Sequence, residues 1–477
     1  MRDSAKRITS VTKGSSNVVY SVTYEPFGPV TGITYGNGLV ETRSYDQDYR
    51  LSGSSPINPG ILVPGIQSLT FGYNPDDDIT GITDNLVSGN SQTLGYDNLN
   101  RLNTGSGAYG SLSYGYDADG NRNTQTVNGT VTSYTYGTGN NRLTKLNATG
   151  WSYVADGNTT KDGTYTYAYD DANRLASVTK TGLTASYSYN GLGQRVEKTV
   201  NGTTTVFIYD EAGHLLGEYT PSGGLVEEHI WLNDRPIAVI TPSGLYYVQT
   251  DQLGTPRVIT NSSKTVVWQW HSDPFGNGAP TGSLTYNLRF PGQYYDAETG
   301  LNYNLNRYYN PAIGRYMESD PIGLNGGINT YTYVMNNPLG YIDPLGLYWL
   351  YCQNSGAIAY VNDQTLQVTP IGTGYSGSPL ALNDGSWQDF KDFGPIPVGE
   401  YYIGQAFTSK SMGPLTMHLT PSPFNETNLA NRTGLFMHGD NQLHNHTAST
   451  GCIVAGPSIR RVISNSTDRD LLVEQCN

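Results

Sequence analysis

The chain has 477 residues, too many for one ordinary domain, with 57 Gly, 38 Tyr and only 14% charged residues, a composition that excludes a coiled coil or other long-helix protein. So many aromatic side chains also exclude a chain that never packs. The net charge of −13 lacks the basic surplus of a non-specific nucleic-acid binder, and no nucleic-acid partner is expected.

The first residues, MRDSAKRITS, carry charge with no apolar stretch behind them and do not read as a secretory signal. No apolar run reaches the ~18–20 residues of a membrane helix, so no membrane insertion is expected. The chain is expected to be made in the cytoplasm and to leave it through a dedicated machine.

One repeating unit then fills the body. An aromatic-rich run leads to Tyr-Asp or Tyr-Asn, then small or polar residues, Gly or Asn, Arg, and Leu or Val. It appears as YDNLNRL from Tyr96, YDADGNR from Tyr116, YDDANRL from Tyr169, YNGLGQRV from Tyr189 and YDEAGHLL from Tyr209. The leading tyrosines at 96, 116 and 136, and again at 169, 189 and 209, step by 20 residues on each side of one longer interval. Weaker copies start at Tyr45 and Tyr73. Alternation in TSYTYG and GTYTYAYD predicts strands with Tyr on one face and Thr or Ser on the other. The Gly and Asn of the connecting segments suit turns that need a positive φ. A lone hairpin cannot bury its face, so the units must stack or wind into a continuous sheet. The body therefore reads as architecture without catalysis.

These repeats resemble the YD repeats of Rhs proteins. YVQTDQLGTPRVIT (Tyr247 to Thr260) is similar to that family's HTDHLGTPR element, with Gln249 and Gln252 where the usual pattern has His. GQYYDAETGLNYNLNRYYNPAIGRYMESDPIGL, from Gly292, and NTYTYVMNNPLGYIDPLGL, ending at Leu347, resemble the Rhs core signature. The resemblance implies a polymorphic toxin whose repeats wind into a hollow β-shell around a variable C-terminal toxin. The expected fold class is all-β: a YD-repeat solenoid or shell over residues 1–290, the core signature over 291–347, and a small mainly-β domain over 348–477. The chain opens inside a repeat-like segment and shows no delivery module, so it is expected to be the C-terminal part of such a toxin.

Two Asp-Pro-x-Gly elements, at Asp320 and Asp343, close this region. On the residues alone, two Pro/Gly turns capped by Asp account for them. Two carboxylates brought together can also share a proton and activate water against a peptide bond. The Rhs resemblance implies the second reading, an aspartyl-protease-like pair that cuts the chain after Leu347.

The 130-residue tail holds ten acidic and six basic side chains, all three Cys and four of the seven His. It reads mainly as strands (GAIAYVN, QTLQVTPI, GEYYIGQAF, PLTMHLTP, TGLFMHG), with a short helix over Pro457 to Ile463. The apolar run Leu435-Phe436-Met437 ends in His438, and Ser449-Thr450-Gly451-Cys452 opens the next one. A His that takes a thiol's proton makes the Cys a nucleophile, and N–H groups at a tight Gly turn can face an oxyanion. Cys352 and Cys476 either pair or stay as two buried thiols.

The segments GYSG, FGPIPVGEYYIG, MHG and STGCI resemble the L,D-transpeptidase-like toxins of type VI secretion systems. In housekeeping L,D-transpeptidases a second His stands where this chain has Thr450. The resemblance implies Cys452 as nucleophile, His438 as base and acid, Gly451 and Cys452 as oxyanion donors, and Ser449 orienting the His or lining the pocket. It implies a peptidoglycan stem peptide (a tetrapeptide donor) as substrate, action in the target-cell periplasm, and a cognate immunity protein and type VI spike proteins as partners. No cofactor motif and no metal site of familiar spacing stands out. His438, His444, His446 and Cys452 remain a chemically possible zinc set. The rival readings are an Rhs toxin with an HNH-like or metal-dependent nuclease tail, and a non-enzymatic YD-repeat surface protein.

Overall fold

The computed structural model describes residues 1–4, 7–25, 29–47, 50–57, 66–321, 328–343, 348–362, 367–388, 390–391, 393–404, 406–409, 411–421, 434–440, 449, 451–456, 459–460, 463–464 and 470–475. They fall into two compact units, Met1–Ser319 with Tyr331–Leu345, and Asp320–Thr330 with Gly346–Asn477. The fold is all-β, as the repeats predict.

Within each sheet of the first unit the strands pair with their sequence neighbours among the described residues. Fourteen strands from Val11–Lys13 to Thr149–Gly150 make one antiparallel sheet, and fourteen from Ser152–Tyr153 to Thr281–Gly282 make a second. The expected alternation is present: in Thr130–Tyr136 and Leu183–Tyr189, Tyr134 and Tyr187 are buried while Ser133, Thr135, Ser186 and Ser188 face outward.

The YD motif is a turn clamp, legible at Asp97. Its Oδ1 accepts the N–H groups of Leu99 (2.9 Å) and Arg101 (3.1 Å), and its Oδ2 accepts Arg101 Nε (2.8 Å). Asn100 takes a φ of 58°, a conformation Asn tolerates better than most residues. The Arg101 guanidinium lies 4.8 Å from the ring centre of Tyr116, one repeat on, and Tyr116 Oη donates to Leu102 O (2.7 Å). The same three links join Asp46, Arg50 and Tyr73, and Asp170, Arg174 and Tyr189. At each such tyrosine the strand register slips, as between Gly115 and Tyr116 and between Ser188 and Tyr189. The bulge aims the ring at the preceding turn.

The two sheets meet through Val18, Val19, Ile33, Tyr35 and Leu39 on one side and Leu232, Ile237, Ala238 and Tyr247 on the other. The signature segment adds a four-stranded sheet, Tyr294–Asp296, Leu301–Asn304, Arg307–Asn310 and Arg315–Tyr316. Its rings Tyr303, Tyr308, Tyr309 and Tyr316 share a core with Tyr167, Tyr187, Phe207 and Trp268 of the second large sheet.

Among the described residues the second unit forms a nine-stranded sheet. Strand Gly399–Ile403 pairs with Asp470–Glu474 and also with Gly413–Pro421, which closes the sheet on itself. Ile358, Ile403, Met417, Leu419, Met437 and Ile453, all fully buried, fill its interior. Helical turns at Ile459–Arg460 and Ile463–Ser464 fall where the short helix is expected. Cys352 is disulfide-bonded, and Cys476 lies outside the described residues.

Candidate active site

Two short parallel strands position the expected pair. Phe436–His438 runs beside Ile453–Ala455, with Met437 opposite Ile453 and His438 opposite Val454. Side chains alternate along a strand, so Met437 and Ile453 fill the core and His438 belongs to the other face. The same register carried one residue beyond the strand would set Cys452 opposite Phe436, on the face of His438. With strands ~4.8 Å apart and a rise of ~3.3 Å per residue, the Cα atoms of this diagonal pair stand about 8 Å apart. Sγ of Cys452 lies against Gly434 O, and no hydrogen bond joins it to His438 among the described residues.

His438 is 3% exposed and its Nδ1 lies 2.8 Å from Gly439 O. A carbonyl oxygen only accepts, so Nδ1 carries the proton and Nε2 keeps the lone pair. Burial, reinforced by the Arg460 cation, holds the imidazole below its ordinary pKa. It is neutral near pH 7, the state a general base requires.

Arg460 was not legible as part of this site. Its Nε donates to Ala455 O (2.9 Å), and its Nη1 to the carbonyls of Pro414 and Leu415. A Cβ on Gly439 would stand 2.9 Å from its guanidinium, so a side chain there would press on the arginine. Only the return of the 459–460 turn against the strand brings the two together.

Cys452 is partly exposed and outside any disulfide, with Sγ 4.0 Å from Gly434 O. Ser449 Oγ donates to Cys452 O (2.6 Å) and accepts the N–H of Gly451 (3.1 Å). The serine thus closes the turn that presents the thiol and does not bond the histidine. The Gly451 N–H, expected at an oxyanion, is engaged by that serine here. Gly451 has a φ of 139°, which other residues rarely adopt. His444, His446 and Thr450 lie outside the described residues.

At the junction, Asp343 Oδ2 accepts Tyr316 Oη (2.6 Å) and Arg307 Nη2 (3.1 Å), and its carbonyl accepts Asn304 Nδ2 (2.8 Å). Asp320 is buried and its N–H donates to Thr330 O (2.7 Å). Asp343 belongs to the first unit and Asp320 to the second. Leu347 lies outside the described residues.

A family model described as Teneurin YD-shell matches residues 65–339, and one described as Tlde1 domain matches residues 371–469. The tRNA3(Ser)-specific nuclease WapA of Bacillus spizizenii is 33% identical over 265 residues, covering 52% of this chain and 11% of that protein. The double-stranded DNA deaminase toxin A of Burkholderia cenocepacia is 28% identical over 281 residues, 50% of this chain and 19% of that protein. This chain thus spans only a small part of the length of these relatives. The solved structure of TcdB2-TccC3 has the same fold over 73% of this chain and 21% of its own, with a TM-score of 0.59 at 20% identity.

Proposed function

The chain belongs to the Teneurin YD-shell family, and from that premise we propose that it is a toxin effector whose tail is a cysteine acyltransferase acting on peptidoglycan stem peptides. One observation supports the reading: the parallel pairing of Phe436–His438 with Ile453–Ala455, whose register, carried one residue further, would bring Cys452 diagonal to His438, an imidazole that bonds Gly439 O through Nδ1. The Tlde1 domain match spans both residues and supports a tail with its own activity.

In the proposed reaction the Cys452 thiol gives its proton to His438 Nε2. Sγ attacks the carbonyl carbon at the L-centre of diaminopimelate, and the oxyanion takes a hydrogen bond from the Cys452 N–H. The bond to the terminal D-Ala nitrogen breaks, and His438 returns its proton to that amine. Water then resolves the thioester as an L,D-carboxypeptidase, or a D-amino acid resolves it by exchange. Both remove the tetrapeptide donors of cross-linking and weaken the wall of the target cell. The proposal includes delivery by type VI spike proteins, action in the target periplasm, and a cognate immunity protein.

Relatives named as a nuclease and a deaminase favour a second reading, a tail that acts on nucleic acid. Different named activities on proteins that each match about half of this chain support an activity outside the matched part. The acidic surplus of the tail weighs against this reading.

The full chain and Cys452→Ala, each directed to the periplasm or held in the cytosol of a Gram-negative host, test the proposal. Periplasmic expression should be toxic and deplete tetrapeptides in a mass-spectrometric stem-peptide profile, and Cys452→Ala should cut turnover on the order of 10³-fold or more. Toxicity confined to the cytosol, or indifferent to Cys452→Ala, favours the nucleic-acid reading. Self-cleavage after Leu347 by Asp320 and Asp343 is also proposed. Intact mass should show two pieces in the native chain and one in Asp343→Asn.

A further inference from the structure

Far along the sequence from the tail, the second large sheet buries an arrangement that antiparallel strands ordinarily avoid. Strands Leu215–Tyr219 and Leu225–Leu232 pair with Glu218 directly opposite Glu227. His229 follows two residues on, on the same face of its strand. The side chains of Glu218, Glu227 and His229 are 4%, 7% and 0% exposed. Like charges directly opposite destabilise a strand pair, and burial raises the cost of each charge.

Yet no hydrogen bond reaches Glu218 Oε1, Glu227 Oε1, or either ring nitrogen of His229. Buried polar atoms nearly always have partners, so a cluster of four without one points to a species held among them. The three side chains offer ligand atoms that all lie within 4.8 Å of one another. His229 Nε2 is 3.5 Å from Glu227 Oε1 and 3.9 Å from Glu218 Oε1. Ligands bonded tetrahedrally at ~2.0–2.1 Å stand about 3.3–3.4 Å apart. A small inward movement of the side chains would seat a cation.

Neighbouring side chains hold the cluster in place. Tyr294 Oη donates to Glu218 Oε2 (2.9 Å) and is itself held by Asn287 Nδ2 (3.0 Å), which leaves Oε1 turned to the cluster. The Tyr286 ring meets His229 edge-on at 5.6 Å, and its buried hydroxyl also lacks a partner, a further donor beside the cluster. The neighbouring cation, Arg289, directs Nη1 to the carbonyls of Tyr286 and Leu288. An imidazole with two carboxylates suits zinc or a similar first-row divalent ion better than magnesium or calcium, which take oxygen alone.

We propose that Glu218, Glu227 and His229 bind a divalent transition cation, with zinc as the probe, as a structural centre of the body. The ion would neutralise the facing carboxylates and clamp two strands. Through Tyr294 it would also tie the large sheet to strand Tyr294–Asp296. The site is independent of the tail chemistry.

The test uses the full chain, stripped with chelator and dialysed against zinc sulfate. Elemental analysis should find about one zinc more per wild-type chain than in Glu227→Gln or His229→Gln. Zinc should raise the unfolding temperature of wild type by several degrees and EDTA reverse it, with neither effect in the two variants. Cys452→Ser should keep both the metal and the shift, which excludes the tail thiol as its source. Equal zinc in wild type and His229→Gln overturns the proposal. So does a Glu227→Gln chain that is more stable than wild type and indifferent to zinc, because a shared proton would then account for the acid pair. Should the variants not fold, a wild-type melt unmoved by zinc and EDTA overturns it alone.

Discussion

At the scale of single residues, His214 shows what the repeat requires. It stands where other copies have Arg, and the link survives in altered chemistry. Its Nδ1 lies 2.8 Å from Asp210 Oδ2, its ring stacks on Trp231 at 4.6 Å, and Trp231 Nε1 donates to Leu215 O (2.9 Å). Burial opposes its protonation, but Asp234 and Asp210 push its pKa above the usual 6.5. A raised folded value contributes stability that is fully present below about pH 6.5 and is lost as pH rises through the folded pKa. The unfolding temperature should therefore fall more between pH 6 and 8 in the native chain than in His214→Gln. The difference should not exceed about 2 °C, because a part-exposed pair is worth about 0–1 kcal/mol. Gly451 is the opposite case, fixed by backbone. At its φ of 139° an Ala is strained, so Gly451→Ala should destabilise the tail by about 1–3 kcal/mol and displace Cys452. Denaturant melts and thiol-labelling rates of the full chain would read both effects.

At the scale of elements, the tyrosine hydroxyl bridges neighbouring turns. Tyr116→Phe keeps the ring over Arg101 but removes the bond to Leu102 O. It should cost about 1 kcal/mol, and Arg101→Ala more, since that change also uncouples Asp97. Denaturant midpoints of the two single variants and the double variant give the coupling. The 20-residue step, the strand alternation and the turn positions were legible because each depends on neighbours in sequence. The bulge at every repeat tyrosine was not, since it serves a ring that packs on the previous turn. In the tail, the apolar run into His438 and the Gly before Cys452 were legible. The parallel pairing of Phe436–His438 with Ile453–Ala455 was not, because the sequence does not state which strands lie side by side.

At the scale of the whole molecule, the signature segment is tied to the large sheets by charge as well as by rings. Arg195, in the copy that starts at Tyr189, meets Asp296 through two hydrogen bonds with both side chains fully buried, and Lys198 Nζ adds a third (2.8 Å). Burial works against ionisation of Asp296, but Arg195 and Lys198 hold its pKa below the ordinary range. Its contribution is present above about pH 4 and is lost only as pH falls through the lowered value. Asp296→Asn leaves Arg195 buried without its counter-charge and should destabilise the body by about 3–5 kcal/mol. The stem-peptide activity proposed for the tail should be unchanged. Denaturation followed by tryptophan fluorescence, beside a tail assay, checks both.

By itself the sequence determined an all-β body of 20-residue units, a junction with two Asp-Pro-x-Gly elements, and a tail carrying the thiol. Those properties follow from alternation, turn chemistry and composition, which act between near neighbours. Only the tertiary structure decided that Arg460 sits against Gly439 beside His438, that Ser449 holds the Cys452 turn, and that Glu218 faces Glu227 with His229 beside them. Each of these depends on strand register and on the return of distant segments, and register is set by how whole faces bury, which no single stretch of sequence contains.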